Sequence, residues 1–298
     1  QSRPAFIEGP ALISSALVLA VMDPDCPSRN NSLIMPLTLG ITFFPLLCFV
    51  AAYVQTVTGF AFGLVLMGGI ALTGLVPLPE AAVVISLLTL VNALMVLARG
   101  WRDIARLPLL LSLAGSIPLV ALGYAALLVV ASLSLSALRL ILGLVIILSS
   151  LQLMRRPAPR RKLSPHWSFA VFGGIGGLMS GLFSTAGPPL VYHFYRQPLP
   201  LVTIRETLVA VFACNALFRL SLVAVSGEWD SHVMVWALAG LPGVAGATFL
   251  ARRWPPPLSP FAALAQRRLA VALLFLSGVS LVIPVLLPQV PDLQPTPA

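Results

Sequence analysis

Apolar stretches of bilayer length follow one another along almost the whole chain, and that property excludes most folds. A helix needs about 20 apolar residues to cross the hydrocarbon core of a membrane. Runs of roughly that order lie at 35–56, 59–78, 80–98, 108–131, 137–154, 168–183, 186–199, 204–225, 231–251 and 269–288. Only 9% of residues are charged and the mean hydropathy is +0.99, whereas about a quarter of a soluble domain is charged. The sequence therefore predicts an all-α integral membrane protein with about 8–10 transmembrane helices and no room for a soluble domain. The two runs between 168 and 199 are short for crossings. They read either as spans or as re-entrant half-helices, which are tolerated where the broken backbone faces protein or a water-filled cavity.

The formal charge of +9 does not point to nucleic acid, because the basic residues sit in short loops between apolar runs, the pattern of cytoplasmic membrane loops. Arg99, Arg102 and Arg106 form one loop, "RRPAPRRK" (155–162) a second and "RRWPPPLSPFAALAQRR" (252–268) a third. Placing these inside also brings in Arg196 and Arg205, which puts 14 of the 18 basic residues on one side. Asp23, Asp25, Glu80, Glu228, Asp230 and Asp292 fall on the other, and both termini come out external.

Residues 1–32 form an external segment of open role. Its run "GPALISSALVLAVM" (9–22) is too short to span and reads as a signal-like remnant, an interfacial helix or an extra packed helix. The chain begins with Gln, so a natural start upstream is expected. Cys26, Cys48 and Cys214 are isolated, and His166, His193 and His232 lack metal-ligand spacing, so neither a metal nor another cofactor is expected.

The sequence also repeats. "NALMVL" (92–97) returns as "NALFRL" (215–220), 123 residues later; "TG" (58–59) answers "SG" (180–181), and "LRLILGLVIIL" (138–148) answers "RRLAVALLFL" (267–276). This divides the chain into a first repeat (33–154), a basic cytoplasmic linker (155–167), a second repeat (168–288) and an external tail (289–298). Each repeat holds five apolar runs, an odd number, so the second enters the membrane from the opposite side. The basic loop 99–106 accordingly corresponds to the acidic "SGEWDS" (226–231). Inverted repeats of this kind belong to secondary transporters, whose substrate site lies near the midplane between interrupted helices.

Two interruptions stand out. In "GGIGGLMSGLFSTAGPP" (173–189), Gly173, Gly177 and Gly181 recur every four residues and predict close helix packing. Ser184, Thr185 and Gly187 then break the helix, and two prolines start another. A helix start at membrane depth presents free N–H groups and a positive dipole end, a setting for an oxyanion. The matching break is "QTVTGFAFG" (55–63), with Gln55, Thr56, Thr58, Gly59 and Gly63, and the two are expected to face each other across the repeat axis. The alternative is a kink whose backbone groups are satisfied by neighbours.

Asn92 and Asn215 occupy equivalent positions and either line the site or bond between helices. Arg219, one turn after Asn215, is either the anion's countercharge or snorkels outward over about 9 Å; its counterpart is Val96. Arg205 and Glu206 are candidates for a gating ion pair or a solvated helix end. His193 is a candidate proton relay or a packing residue, and Glu80 a coupling group or an acid favoured near a helix start.

The motifs "VQTVTGFAFGLVL" (54–66) and "SGLFSTAGPPLVYHFYRQPLP" (180–200), followed by "IRETLVAVF" (204–212), resemble the TauE/SafE sulfite exporter family, also called the toluene sulfonate uptake permease family. The resemblance covers about 35–288. It implies a multi-pass transporter in a bacterial inner membrane, associated with sulfite, sulfonates, sulfoacetate and other small organic anions. The chain departs from the family at "STAG" and "FAFG", where more glycine is common. Motifs and resemblance together lead to a secondary active transporter of a small oxyanion, working by alternating access with proton coupling. No catalytic residues are expected; the partners are the anion, the bilayer and the proton, and homo-oligomer formation stays open. A passive anion channel is the first alternative. An intramembrane enzyme lacks a catalytic constellation, and a scaffold would need no polar breaks.

Overall fold

The computed structural model describes residues 31–154, 160–185, 187–227 and 229–254, together with 275, 278, 279, 282 and 283 in the last apolar run. The run at 9–22, residues 155–159, most of 255–288 and the tail 289–298 lie outside the described residues.

Nine helices and no strand occur among the described residues: α1 (Asn31–Thr58), α2 (Phe62–Thr73), α3 (Leu78–Gly100), α4 (Arg106–Leu133), α5 (Leu135–Met154), α6 (His166–Phe183), α7 (Pro188–Tyr195), α8 (Leu201–Ser226) and α9 (Ser231–Arg253), with a 3-10 turn at Trp101–Asp103. Within α3, α4, α5, α8 and α9 lie stretches long and apolar enough to cross a membrane, as expected from the apolar runs. Proline marks several starts: Pro77, Pro165 and Pro200 stand immediately before α3, α6 and α8, where a missing N–H is harmless. Asp230 accepts a hydrogen bond from the His232 N–H at 3.0 Å and caps α9.

One apolar run differs from expectation. Residues 59–78 form no full span, because α2 has only 12 residues, about 18 Å of helix against a hydrocarbon core of about 30 Å. Left-handed backbone at Gly59 and Ala61 delays its start, and Gly74, also left-handed, ends it with its N–H on the Ile70 carbonyl. Thus α2 is a short helix behind a break, as is the eight-residue α7.

The middle of the molecule is the crossing of α3 and α8, flanked by α4 packed along α6 and α1 packed along α9; α9 also meets α3, and α4 also meets α8. An apolar 18-residue stretch is 61% buried in α3 and in α8, against 28% in α4. The outer helices therefore present the apolar surface, through residues such as Leu110, Leu122, Leu144 and Phe249, that a lipid environment accepts. The glycine stripe of α6 makes the α4 contact possible. A Cβ on Gly173, Gly177 or Gly181 would fall on the backbone carbonyls of Ser112, Ser116 and Val120, respectively.

Charge is sorted along the bundle. Arg252 donates to the Met95 and Val96 carbonyls at the end of α3, the Ala105 N–H reaches Thr207 Oγ1, and the Arg160 N–H reaches the Arg196 carbonyl. Arg99, Arg102, Arg160, Arg196, Arg205 and Arg252 are thereby gathered at one end. Glu80 lies within electrostatic range of Asp230 and His232 at the other.

Candidate functional site

Both interruptions have the same local construction. The Gly59 N–H bonds to the Gln55 carbonyl at 2.6 Å, and the Ser184 N–H bonds to the Ser180 carbonyl at 2.8 Å. Each closes a helix with a left-handed residue, Gly59 at φ 78° and Ser184 at φ 55°. Ala61, at φ 83°, then precedes α2. Ala61 and Ser184 are the positive-φ non-glycine residues among the described residues, a conformation costing about 1–3 kcal/mol each that surrounding contacts must hold. The breaks also touch: a Cβ on Gly63 would lie 2.6 Å from the Ser184 carbonyl oxygen and 3.0 Å from Thr185 Cγ2.

Between them is a cavity of about 20 Å³. The first turn of α2 (Phe62, Gly63, Leu64) walls one side and Ser184 and Thr185 the other, with Gln55, Thr89 and Phe212 also contributing. No side-chain cap bonds to the start of α2. Three polar atoms of this wall, Gln55 Nε2, Thr89 Oγ1 and Thr185 Oγ1, are buried with no hydrogen-bond partner. The Ser184 hydroxyl differs. Ser86 gives its proton to the Ala82 carbonyl at 2.8 Å, so Ser184 donates to Ser86 Oγ at 2.7 Å. No acidic residue lines the cavity among the described residues.

Behind Ser184 stands Arg219, which is 0% exposed and so does not snorkel. Its Nε donates to the Gly181 carbonyl at 3.1 Å, and Nη1 lies 3.4 Å from Ser86 Oγ. Nη2 has no hydrogen-bond partner, and the guanidinium carbon is 5.5 Å from the centre of the Tyr124 ring. No carboxylate pairs with this buried cation among the described residues.

Toward the basic end, Gly59 packs against Arg205, whose Cα would lie 2.9 Å from an added Cβ. Tyr195 donates its hydroxyl to the Thr58 carbonyl at 2.5 Å and its ring meets Phe60 edge-on. Arg205 Nη2 is 3.0 Å from Glu206 Oε1, an ion pair between neighbouring residues. Glu206, 1% exposed, keeps Oε2 unpartnered. His193 is stacked on Phe172 at 4.5 Å and lies 3.2 Å from Ser168 Oγ, outside the central cavity.

Of the residues singled out from sequence, Gln55, Gly63, Ser184 and Thr185 come together at the cavity, and Arg219 stands directly behind it. Thr56 and Thr58 donate to the Ala52 and Val54 carbonyls of their own helix, at 2.7 and 2.6 Å. Asn92 donates to Thr248 Oγ1 at 2.7 Å, joining α3 to α9, while Asn215 accepts from Ser116 at 2.7 Å, joining α8 to α4. Gly187 packs against the Met179 sulfur at the start of α7. The prolines at the first two positions of α7 leave that turn with few donors, so the helix start that lines the cavity is that of α2. Sequence reading passed over Ser86 and Thr89. They lie three residues apart on one face of α3, in line with Asn92, and a hydroxyl at that spacing within an apolar run is the signal that marks them.

The profile of the family described as "Sulfite exporter TauE/SafE" matches residues 44–281. A protein of Cupriavidus necator named "Probable sulfite/organosulfonate exporter TauE" is 39% identical over 237 residues, covering 78% of this chain and 90% of that protein. A "Probable inner membrane transporter protein TsaS" of Comamonas testosteroni is 30% identical over 146 residues, 47% of this chain and 58% of that protein. No solved structure matches the chain significantly. With its family profile spanning both helix breaks and the α3–α8 crossing, the chain belongs to the TauE/SafE sulfite exporter family.

Proposed function

We propose that this protein is a secondary transporter that moves a small sulfur oxyanion, sulfite or a sulfonate, across the inner membrane by alternating access, with the cavity between the two breaks as its binding site. One observation carries the reading. Gln55, Thr89 and Thr185, from three different segments, bring buried and unpartnered polar groups to one cavity beside an uncapped helix start, with no carboxylate among its described wall residues. A buried polar group without a partner costs about 1–3 kcal/mol. An oxyanion accepts hydrogen bonds through all its oxygens and relieves several such groups at once. Arg219 supplies positive charge behind Ser184 without a competing carboxylate. The names of the two relatives agree with this class of ligand.

The cavity is about 20 Å³, on a scale where one water needs about 10–15 Å³. Binding sulfite therefore requires the walls to part, and the left-handed residues at the two breaks are the natural hinges. The inverted two-repeat reading draws support from the packing: exchanging the halves carries the α1–α9 contact onto α6–α4 and the α3–α9 contact onto α8–α4. Asn92 and Asn215 follow the same exchange, each reaching the fourth helix of the other half. The gathering of arginines at one end supports a cytoplasmic location for that end. Glu206, buried there with one free oxygen beside Arg205, is the group proposed to couple proton movement to the gate.

The test is uptake and counterflow in liposomes containing the purified protein, comparing sulfite, thiosulfate, a sulfonate and a carboxylate of similar size under an imposed pH gradient. Accumulation driven by the gradient and selective for sulfur oxyanions is the expected result. Downhill flux indifferent to the gradient would replace the coupled transporter by a channel, and absence of flux for every anion would refute the assignment of the cavity.

A further inference from the structure

A second hollow lies at the basic end, bounded by the segment leading into α6, the first turns of α6 and the end of α7. At about 160 Å³ it is larger than the central cavity of about 20 Å³, and the two share no lining residue. Arg160 and Arg196 both line it, and none of its described lining residues is acidic. The backbone holds these arginines together, since the Arg160 N–H donates to the Arg196 carbonyl at 2.8 Å. Among the described residues neither pairs with a carboxylate. Arg160 Nη1 donates to the Ser164 hydroxyl at 3.1 Å, and the Arg196 guanidinium lies 5.6 Å from the centre of the Tyr192 ring, with Nε buried and unpartnered. Ser168 and His193 add a hydroxyl and a ring nitrogen to the wall. At the rim, Trp167 is 68% exposed, an aromatic side chain at a helix end of the kind that anchors at the membrane–water interface.

We propose that this hollow is a second anion site, separate from the transport cavity, that takes a phosphate oxyanion. Two guanidinium groups lining one cavity match the paired oxygens of a phosphate. Basic pockets between transmembrane helices on the cytoplasmic side hold phospholipid headgroups, and the exposed Trp167 gives an acyl chain a surface to follow. The same chemistry would accept inorganic phosphate. The site stands independently of the transport reading.

The experiment uses the purified full chain in neutral detergent. Native mass spectrometry measures binding of phosphatidylglycerol and of phosphatidylcholine with the same acyl chains, and a parallel melting series measures inorganic phosphate against chloride at constant ionic strength. The expected result is preference for phosphatidylglycerol, weakened about tenfold or more in Arg160→Gln/Arg196→Gln, by the strength of charge-assisted hydrogen bonds. The exposed Arg102→Gln leaves that preference unchanged. Stabilisation by phosphate that depends on the two arginines, without a lipid preference, supports the site with a soluble anion as its occupant. A wild-type protein indifferent to both headgroup and phosphate overturns the proposal without any variant. So does a preference for either ligand that survives the double substitution.

Discussion

Replacing Thr185 by valine keeps the side chain's shape and removes one hydroxyl, and the structure predicts opposite effects on stability and on binding. In the free protein Thr185 Oγ1 is buried with no partner, so its removal breaks no hydrogen bond. Losing an unpaired buried polar group relieves up to about 1–3 kcal/mol; hydrogen-bond effects in membranes average nearer 0.6 kcal/mol. The melting temperature of Thr185→Val without ligand is therefore equal to or above that of the wild type. With an oxyanion in the cavity the same hydroxyl donates to a charged acceptor, worth about 1.5–3 kcal/mol, which corresponds to about 10- to 150-fold in affinity. Calorimetric titration with sulfite, alongside thermal unfolding in the same detergent, measures both quantities. A hydroxyl with a purely structural role would lower the melting temperature and leave affinity alone. That outcome, or an affinity indistinguishable from the wild type, would refute the assignment of Thr185 to the anion site.

Arg219→Gln should weaken sulfite binding by about tenfold or more, with Arg219→Lys recovering part of the loss, because the guanidinium is the buried charge behind Ser184; equal affinities in all three proteins would remove the countercharge role. Glu206→Gln should abolish accumulation driven by a pH gradient while sulfite counterflow continues, and gradient-driven uptake at the wild-type rate would exclude Glu206 as the coupling group. Gly177→Ala places a methyl on the Ser116 carbonyl and should destabilise the protein by about 1–3 kcal/mol through overpacking. Thermal unfolding reads this directly, and an unchanged melting temperature would contradict the close α4–α6 contact.

Thr58 and Thr185 show where sequence reading stops. Both are threonines beside a helix break, and by pattern alone they are equals. Thr58 still lies within α1, with the Val54 carbonyl four residues back at 2.6 Å, so its hydroxyl is consumed locally. Thr185 lies beyond the end of α6, leaving Oγ1 unpartnered at the cavity. Arg219 makes the same point. Its short distance from the helix end permitted an outward path, but α6 and α3 pack over it and offer Gly181 O and Ser86 Oγ instead.

By itself the sequence determined the membrane class, the positions of most helices, the two breaks and the segregation of charge. These follow from properties carried by consecutive residues: apolar length, missing proline donors, left-handed freedom at glycine and the cost of moving arginine through lipid. Tertiary structure alone decided that α2 stops after 12 residues, that Ser86 meets Ser184 and Thr89 lines the cavity while Asn92 and Asn215 bridge helices, and which polar atoms are left without partners. Whether a buried hydroxyl or amide is free depends on what packs against it from elsewhere in the chain, and no local pattern records that neighbour.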